Sequence, residues 1–323
     1  MTGVRGTGAP QLCVVIAAYN AQATLSAQLA ALADQEASFP WEVLICDNGS
    51  TDDTAALARH WQQRLPALRV IDASARRGPA AARNTGVAHT TAPYIAFCDA
   101  DDVVAPGWLT GMHTALHHHP FVTGSIEGDR LNAGNRASWD WTTDSFFEHQ
   151  LLPQLPAAGS GNMGIHRAVF EEVGGFEEAM ATNEDTDLSW RVQLAGYPLV
   201  HRPEIVLHVR KRDGLRAVFR QAYAYGKGDR ELEHRYQRVI AAYAASPGGQ
   251  PAAPSQAAPG EHPTPPWTRA GQVLGKLLRV RGRRDLVDRT RRVGYALGHR
   301  FAGRYGDLAQ IDPPARLPRP NRS

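Results

Sequence analysis

Three carboxylates lie within four residues of the chain, at Asp99, Asp101 and Asp102. They directly follow residues 93–98, a short apolar segment typical of a buried strand. Carboxylates this close repel one another unless a cation or several hydrogen-bond donors offset their charge. Oxygen ligands suit Mg²⁺ or Mn²⁺, which often bind one or two carboxylates together with substrate phosphate oxygens. The cluster therefore predicts a divalent metal that holds a diphosphate, while Asp102 alone is equally compatible with capping a helix that begins near Pro106.

Two other predicted strands also end in polar side chains. Tyr19 follows the apolar residues 12–18, and Asp47 with Asn48 follows residues 41–46. Ligands of open α/β sheets bind outside the carboxyl ends of the strands. Carboxylate and amide groups can hydrogen-bond the edge of a base, and a tyrosine ring can stack on it. An Asx-type turn explains Asp47 and Asn48 equally well, and it is compatible with the binding role.

A second acidic cluster, Glu184, Asp185 and Asp187, begins a predicted helix that runs to about residue 194. A group transfer in one displacement needs a base that takes the proton of the attacking hydroxyl. Asp185 and Asp187 point to different faces of a helix, so at most one of them reaches the substrate. Acidic residues in a first turn can also cap the helix, which would account for Glu184 or Asp187. We expect Asp185 to be the base.

His208 follows a further apolar run, residues 205–207. A neutral imidazole can bind Mn²⁺, so His208 is a candidate metal ligand, and a structural role at the strand end is equally compatible. The basic residues at 210–212 could instead bind a diphosphate.

The spacing of apolar residues predicts an α/β fold with a Rossmann-like, mostly parallel sheet, because strands and helices alternate over the first hundred residues. From about residue 120 the pattern is less regular and predicts a mixed C-terminal half, followed by a helical basic tail. The expected divisions are a catalytic domain at 11–212, a helical extension at 213–245, a Pro-rich linker at 246–266 and a basic amphipathic helical tail at 267–305.

A series of motifs, in order and spacing, closely resembles glycosyltransferase family 2 over roughly residues 11–210. The motifs are Ile16–Asn20, Asp47–Asp52, Arg77-Gly78, Ala80–Asn84, Asp99–Asp102, Gly161–Met163, Val173–Phe176 and Glu184–Leu188, with Arg191 following. Each motif alone is weakly specific, and the series together is strongly specific. Two positions depart from many relatives, which carry Asp at the position of Asn48, and Pro or Thr at that of Ala17.

The resemblance implies an inverting, metal-dependent transferase of the GT-A fold. It would move a sugar from a nucleotide-diphosphate sugar to an acceptor hydroxyl, with Mg²⁺ or Mn²⁺, in polysaccharide, cell-envelope or glycoconjugate synthesis. The implied roles are nucleotide-sugar binding by Ala17, Tyr19, Asp47, Asn48, Arg83 and Asp99, metal binding by Asp101 and His208, catalysis by Asp185, and acceptor contacts by Asn162 and Glu184.

Two other functions are compatible with the same strand-end carboxylates. A nucleotidyltransferase usually needs a Gly-rich basic loop after the first strand, and residues 19–22 lack it. A non-catalytic nucleotide-sugar-binding scaffold needs no base opposite the metal, so Asp185 distinguishes it from the enzyme.

The basic tail differs in charge from the rest of the chain. Residues 267–304 hold eleven Lys or Arg and two Asp, which gives 11 − 2 = +9, whereas the whole chain carries +3. Such a segment is suited to an anionic membrane surface, near a lipid-linked acceptor, and equally to packing on the domain with a solvated arginine face. No nucleic-acid partner is expected, since aromatic residues are not interleaved with these bases.

The sparse cysteines and the lack of a signal-like N-terminus or long apolar run predict a cytoplasmic location. Membrane contact by the basic tail would place the protein on the inner face of the membrane.

Overall fold

A computed structural model describes residues 8–65, 67–132, 145–211, 214–246, 282–302 and 308–318. The strands in these ranges are β1 (Leu12–Ala18), β2 (Trp41–Asp47), β3 (Leu68–Asp72), β4 (Tyr94–Phe97), β5 (Val103–Val104), β6 (Phe121–Glu127), β7 (Phe146–Phe147), β8 (Ala157–Ala158), β9 (Met163–His166) and β10 (Val200–His208). The α-helices are α1 (Leu25–Ala33), α2 (Thr54–His60), α3 (Pro79–Ala88), α4 (Trp108–His118), α5 (Arg167–Glu172), α6 (Glu184–Leu194), α7 (Leu215–Ala245) and α8 (Arg283–Arg300).

Eight of the strands form one sheet in the order β3-β2-β1-β4-β9-β6-β10-β5. The first four are mutually parallel, which is the predicted Rossmann-like half. The strand β9 is antiparallel to both of its neighbours, β10 is parallel to β6, and β5 is antiparallel to β10. The predicted fold class, a mostly parallel sheet with a mixed C-terminal half, is therefore confirmed.

The register of the parallel strands brings their carboxyl ends to one edge. Ala18 pairs with Asp47, and Asp47 pairs with Asp72. In the next strand, Phe97 pairs with Val15, so Asp99 lies two residues beyond that pair at the same edge. The sheet thus places the polar strand ends of β1, β2 and β4 side by side.

Both faces of the sheet are covered, which explains why its strands are continuously apolar. Alternate residues of a strand face opposite sides. In β1, Val14 packs into a core shared with α1 and α4, whereas Val15 packs into a core shared with α3 and α6. A third apolar cluster joins Trp190 of α6 to Tyr236 of α7.

The C-terminal helices pack against each other at close range. A Cβ atom at Gly226 would lie 2.1 Å from the carbonyl oxygen of Tyr295, and one at Gly298 would lie 1.9 Å from that of Tyr223. The described part of the basic tail, α8, is therefore packed on α7 along one side, and its contact with a membrane surface stays a prediction. The predicted linker beyond residue 246 and the first part of the tail, up to residue 281, lie outside the described residues. No helix in the described ranges is both long enough and apolar enough to cross a bilayer.

Candidate active site

The carboxylates of Asp99, Asp101 and Asp102 converge beyond the end of β4, where one ligand oxygen from each lies within 4.8 Å of the others. Gln28 of α1 holds this loop in place through two hydrogen bonds. Its amide nitrogen donates to the carbonyl of Asp99 at 3.2 Å, and its amide oxygen accepts from the N–H of Val104 at 3.0 Å.

Gln28 was missed in the sequence, although it left a signal. It is fully buried on the apolar face of α1, between Leu25 and Leu29. A polar side chain at a core position of an amphipathic helix indicates a buried hydrogen-bonding task, because an unsatisfied amide there would be costly.

Asp102 does not cap a helix, so that alternative was wrong. The helix α4 begins at Trp108 after a left-handed Gly107, and the Asp102 carboxylate instead accepts the backbone N–H of Arg210 at 2.8 Å. Burial, with the nearby charges of Asp99 and Asp101, raises the pKa of Asp102 well above its usual range. Three carboxylates whose charges repel one another at a strand end fit a hard divalent cation, which would offset this repulsion.

Arg83 of α3 joins this cluster to the second one. Its guanidinium donates to Asp99 at 2.7 Å and to Glu184 at 3.0 Å, and only 4% of the side chain is exposed. The sequence placed Arg83 on the donor side and Glu184 on the acceptor side. In the structure the two side chains form a buried ion pair, so Arg83 contacts residues of both predicted sides.

Asp185 is half-buried at the start of α6, beside the loop that precedes β9. Its carboxylate accepts N–H groups from Ser160 at 3.2 Å and from Thr186 at 2.8 Å. Gly161 in that loop lies so close to the first cluster that an added Cβ would be 3.0 Å from a carboxylate oxygen of Asp99. The residues 159–161 therefore lie between the two acidic clusters.

Burial raises the pKa of both acids at the start of α6. For Asp185 the pKa lies above its ordinary value, and two backbone N–H groups partly oppose the shift. For Glu184 burial and the neighbouring Asp185 raise the pKa to about 7. A carboxylate with a raised pKa is a stronger base, which is the property that proton abstraction from a hydroxyl requires.

Asp187 has a different task, although it lies only two residues further along α6. It is fully buried, and its carboxylate accepts from Arg191 at 2.8 Å, from Arg235 at 2.7 Å and from the Tyr236 hydroxyl at 2.8 Å. These partners lie on α7 and one turn further along α6, so capping of the first turn does not explain this residue. Asp187 instead joins α6 to α7.

The strand ends of β1 and β2 carry the side chains predicted to bind the nucleobase of the donor. Tyr19 is 52% exposed, and Ala17 is half-buried beside it. Asp47 is half-buried, and its carboxylate accepts the N–H of Ser50, three residues on, at 3.2 Å.

Asn48 is buried, and both ends of its amide bind backbone. Its nitrogen donates to the carbonyls of Ala73 and Arg76, and its oxygen accepts the N–H of Gly78 at 2.8 Å. Asn48 therefore holds the loop that starts α3, and Asp47 is the polar group of this pair that remains at the strand edge.

Asn162, predicted on the acceptor side, is only 1% exposed and serves the scaffold. Its amide oxygen accepts from the Trp108 indole at 2.8 Å, and its nitrogen donates to the carbonyls of Ser125 and Ile205.

His208, the other candidate metal ligand, is bonded through both ring nitrogens. One lies 2.7 Å from the Glu127 carboxylate and the other 3.1 Å from the guanidinium of Arg130. The group of carboxylates that converges at the end of β4 does not include it, as far as the described residues show.

Comparison with known proteins identifies the family. The sequence profile of glycosyl transferase family 2 matches residues 13–174, half of the chain, and that of glycosyl transferase family group 2 matches residues 94–274. The succinoglycan biosynthesis protein ExoU of Rhizobium meliloti is 32% identical over 209 residues, which cover 59% of each protein. The glycosyltransferase AglE of Haloferax volcanii is 28% identical over 228 residues, 68% of this chain and 73% of that relative. The match thus spans less than two thirds of the first of these relatives.

Solved structures share the fold at low sequence identity. The mannosyltransferase PcManGT from Pyrobaculum calidifontis, in complex with GDP-Man and Mn²⁺, has a TM-score of 0.59 at 18% identity, over 93% of this chain and 90% of its own. Staphylococcus aureus TarS 1-349 in complex with UDP-GlcNAc has a TM-score of 0.51 at 19% identity, over 66% of each chain. The predicted GT-A fold is thereby confirmed.

Proposed function

The chain belongs to glycosyl transferase family 2, and from this premise we propose that it is an inverting transferase that moves a sugar from a nucleotide-diphosphate sugar to an acceptor hydroxyl. The observation that carries the proposal is the arrangement of two acidic clusters around Arg83. One cluster suits a metal and a diphosphate, and the other presents a carboxylate that can act as a base.

The donor would lie along the carboxyl edge of the parallel strands. Tyr19 would stack on the base, and Asp47 would hydrogen-bond its edge. Asp99 would contact the ribose, and Asp101 would bind Mg²⁺ or Mn²⁺ together with the diphosphate oxygens. When bound, such an ion supplies charge neutralisation for the departing nucleotide.

Asp185 would take the proton from the acceptor hydroxyl as that hydroxyl attacks the sugar. Two backbone N–H groups hold its carboxylate, and Arg83 holds the neighbouring Glu184. Its position on α6, across residues 159–161 from the donor-side carboxylates, supports attack from the face opposite the leaving nucleotide. That direction of attack inverts the configuration at the anomeric carbon.

A nucleotidyltransferase or a non-catalytic nucleotide-sugar-binding scaffold is the alternative. The loop after β1 carries Tyr19, Asn20 and Gln22, and no glycine that could cradle a triphosphate. A scaffold would need no base, whereas backbone N–H groups hold the Asp185 carboxylate across residues 159–161 from Asp99.

The experiment that tests the proposal is a panel of nucleotide sugars assayed for transfer and slow hydrolysis with Mn²⁺, with Mg²⁺ and with a chelator. We expect one donor to be consumed in a metal-dependent way. The variant Asp185→Asn should still bind that donor but lose about a hundredfold to ten-thousandfold in turnover. Full turnover by Asp185→Asn would refute the role of the base, and binding without turnover of any donor would favour the scaffold.

The acceptor side remains a prediction from the sequence, including a lipid-linked acceptor at an anionic membrane surface. Support comes from the outer face of α8, where Leu286 and Val293 are exposed beside Arg292 and Arg300. Equal sedimentation of the protein with anionic and with zwitterionic vesicles would contradict this contact.

A further inference from the structure

The helix α8 is seated on α7 through glycines on both helices. Gly226 of α7 faces the backbone of Tyr295, and Gly294 of α8 faces the carbonyl of Phe219, where an added Cβ would lie 2.8 Å away. Backbone-to-backbone contact of this kind tolerates no side chain, so it fixes how far α8 can slide along α7. The side chains of α8 are therefore held at defined places over α7.

One of those side chains reaches a half-buried carboxylate on α7. The Tyr295 hydroxyl donates to one oxygen of Asp229. The other oxygen lies 3.3 Å from the His149 ring and accepts from the Asn183 amide at 2.6 Å. Although burial raises it, these hydrogen bonds lower the pKa of Asp229 below its ordinary value. The carboxylate is thus contacted by three separate segments of the chain.

Asn183 is the residue immediately before α6. Its backbone is left-handed, with φ 61° and ψ 18°, and its side chain does not cap the helix but donates to Asp229. A left-handed residue that is not glycine is strained unless its surroundings hold it. The Asp229 contact supplies that support at the point where the chain turns into α6.

The neighbouring contacts show that α7 holds this turn closely. The Thr182 hydroxyl donates to the carbonyl of Ala224 at 2.9 Å. An added Cβ at Gly228 would lie 2.5 Å from that hydroxyl oxygen and 3.1 Å from the Asn183 amide nitrogen. Residues 182 and 183 are therefore packed directly on α7, and Asp185 follows after a single intervening residue.

We propose that Asp229 is a positioning residue for transfer: it fixes the turn at Asn183, and through it the start of α6, so that the Asp185 carboxylate meets the acceptor hydroxyl. The C-terminal helical pair thereby acts on the chemical step without touching the substrate. This inference rests on the proposed role of Asp185 as the base. It gives α7 and α8 a role in the transfer step that the motifs at the strand ends do not indicate.

The test uses the full chain with Asp229→Ala and Asn183→Ala, alone and combined. Each single variant should lower kcat about tenfold to a hundredfold, since small displacements of a catalytic group cost that much. Donor affinity should stay within about twofold, because the donor edge lies on the other side of the site. Both substitutions break the same hydrogen bond. The kcat of the double variant should therefore be no lower than that of the less active single variant.

A matched control lies on the same helix. Tyr243→Phe removes a hydroxyl that donates to the carbonyl of Pro318 at 3.1 Å. Tyr243 lies near the C-terminal end of α7, well beyond Asp229 and its contact with Asn183. This variant should leave kcat unchanged and should not alter the loss caused by Asn183→Ala. Tyr295→Phe keeps Asp229 and should lower kcat severalfold, and it carries the test if Asp229→Ala does not fold.

Losses that multiply in the double variant would overturn the inference. So would parallel losses of kcat, donor affinity and melting temperature, which indicate a merely structural role, or normal kcat in both Asn183→Ala and Tyr295→Phe. Asp185→Asn separates the two proposals. If it stays active, the proposed function fails; if it is inactive while the Asn183 and Asp229 variants turn over normally, only the present inference fails.

Discussion

The two acidic clusters of the site meet at Arg83 but balance their charge differently. At the end of β4, the carboxylates of Asp99, Asp101 and Asp102 stay within 4.8 Å of one another, and Asp102 has a raised pKa. On α6, the fully buried carboxylate of Asp187 is saturated by two guanidinium groups and a hydroxyl.

This difference distinguishes the carboxylates to which we assign the metal from a carboxylate that stabilises the fold. A cation bound at the half-exposed strand end would offset the mutual repulsion of the carboxylates there. Charge that is fully matched inside the protein has no such need, and its loss leaves buried partners unpaired. Asp185 stands between the two, because backbone N–H groups hold it while it stays half-buried.

The largest effect is expected on the saturated side. Asp187→Asn removes the carboxylate that buried Arg235 and half-buried Arg191 share and leaves Arg235 only its ion pair with Glu177, so the free energy of unfolding should fall by about 3 kcal/mol. Chemical denaturation measures this loss. Asp34→Asn is the control, since its pair with Arg64 is exposed and should matter little. Equal stability of the two variants would erase the distinction between the clusters.

On the ligand side, the same chemical change should have the opposite sign. Asp101→Asn removes repulsion, so the protein without divalent cations should become more stable to heat rather than less. Affinity for Mn²⁺ should fall about tenfold or more, because one of the few carboxylate ligands is lost. Calorimetric titration and melting curves measure both, with the exposed Asp53→Asn as control. Unchanged Mn²⁺ affinity would mean that Asp101 is not a ligand.

The smallest effect concerns pH. Burial raises the pKa of Asp185, and a base works only when deprotonated, so kcat/KM should fall as the pH drops through that raised pKa. The acid limb of the profile should lie above the ordinary range of an aspartate. Glu184→Gln keeps an oxygen acceptor for Arg83 but does not titrate, and it should retain the limb. Disappearance of the limb in Glu184→Gln would transfer the base role to Glu184.

The sequence predicted the first half of the fold closely because local patterns determine it. The apolar run at residues 12–18 is β1, and the predicted strand at residues 41–46 lies within β2. Strand ends in a parallel sheet share an edge, so the grouping of Asp47 with Asp99 followed from the fold class alone.

Other residues depended on contacts between distant segments, which spacing does not reveal. Asn48 and Asn162 were expected at the substrates, yet their amides bond groups of other segments: backbone for Asn48, and backbone with the Trp108 indole for Asn162. His208 was placed correctly at the end of an apolar run, and its engagement by Glu127 comes from a strand some 80 positions earlier. The sequence likewise gave no sign that Tyr295 would reach Asp229.

The contact between Tyr295 and Asp229 has a consequence for the order in which the protein matures. Ribosomes add about 5–20 residues per second, and domains fold as their segments emerge. Between Asn183 and Tyr295 lie 295 − 183 = 112 positions, or roughly 6–22 s of synthesis at that rate. For that interval a nascent chain holds both acidic clusters while the turn before α6 lacks its final support. On the proposed role of Asp229, the full rate of transfer therefore requires that Tyr295 has been synthesised and has reached Asp229.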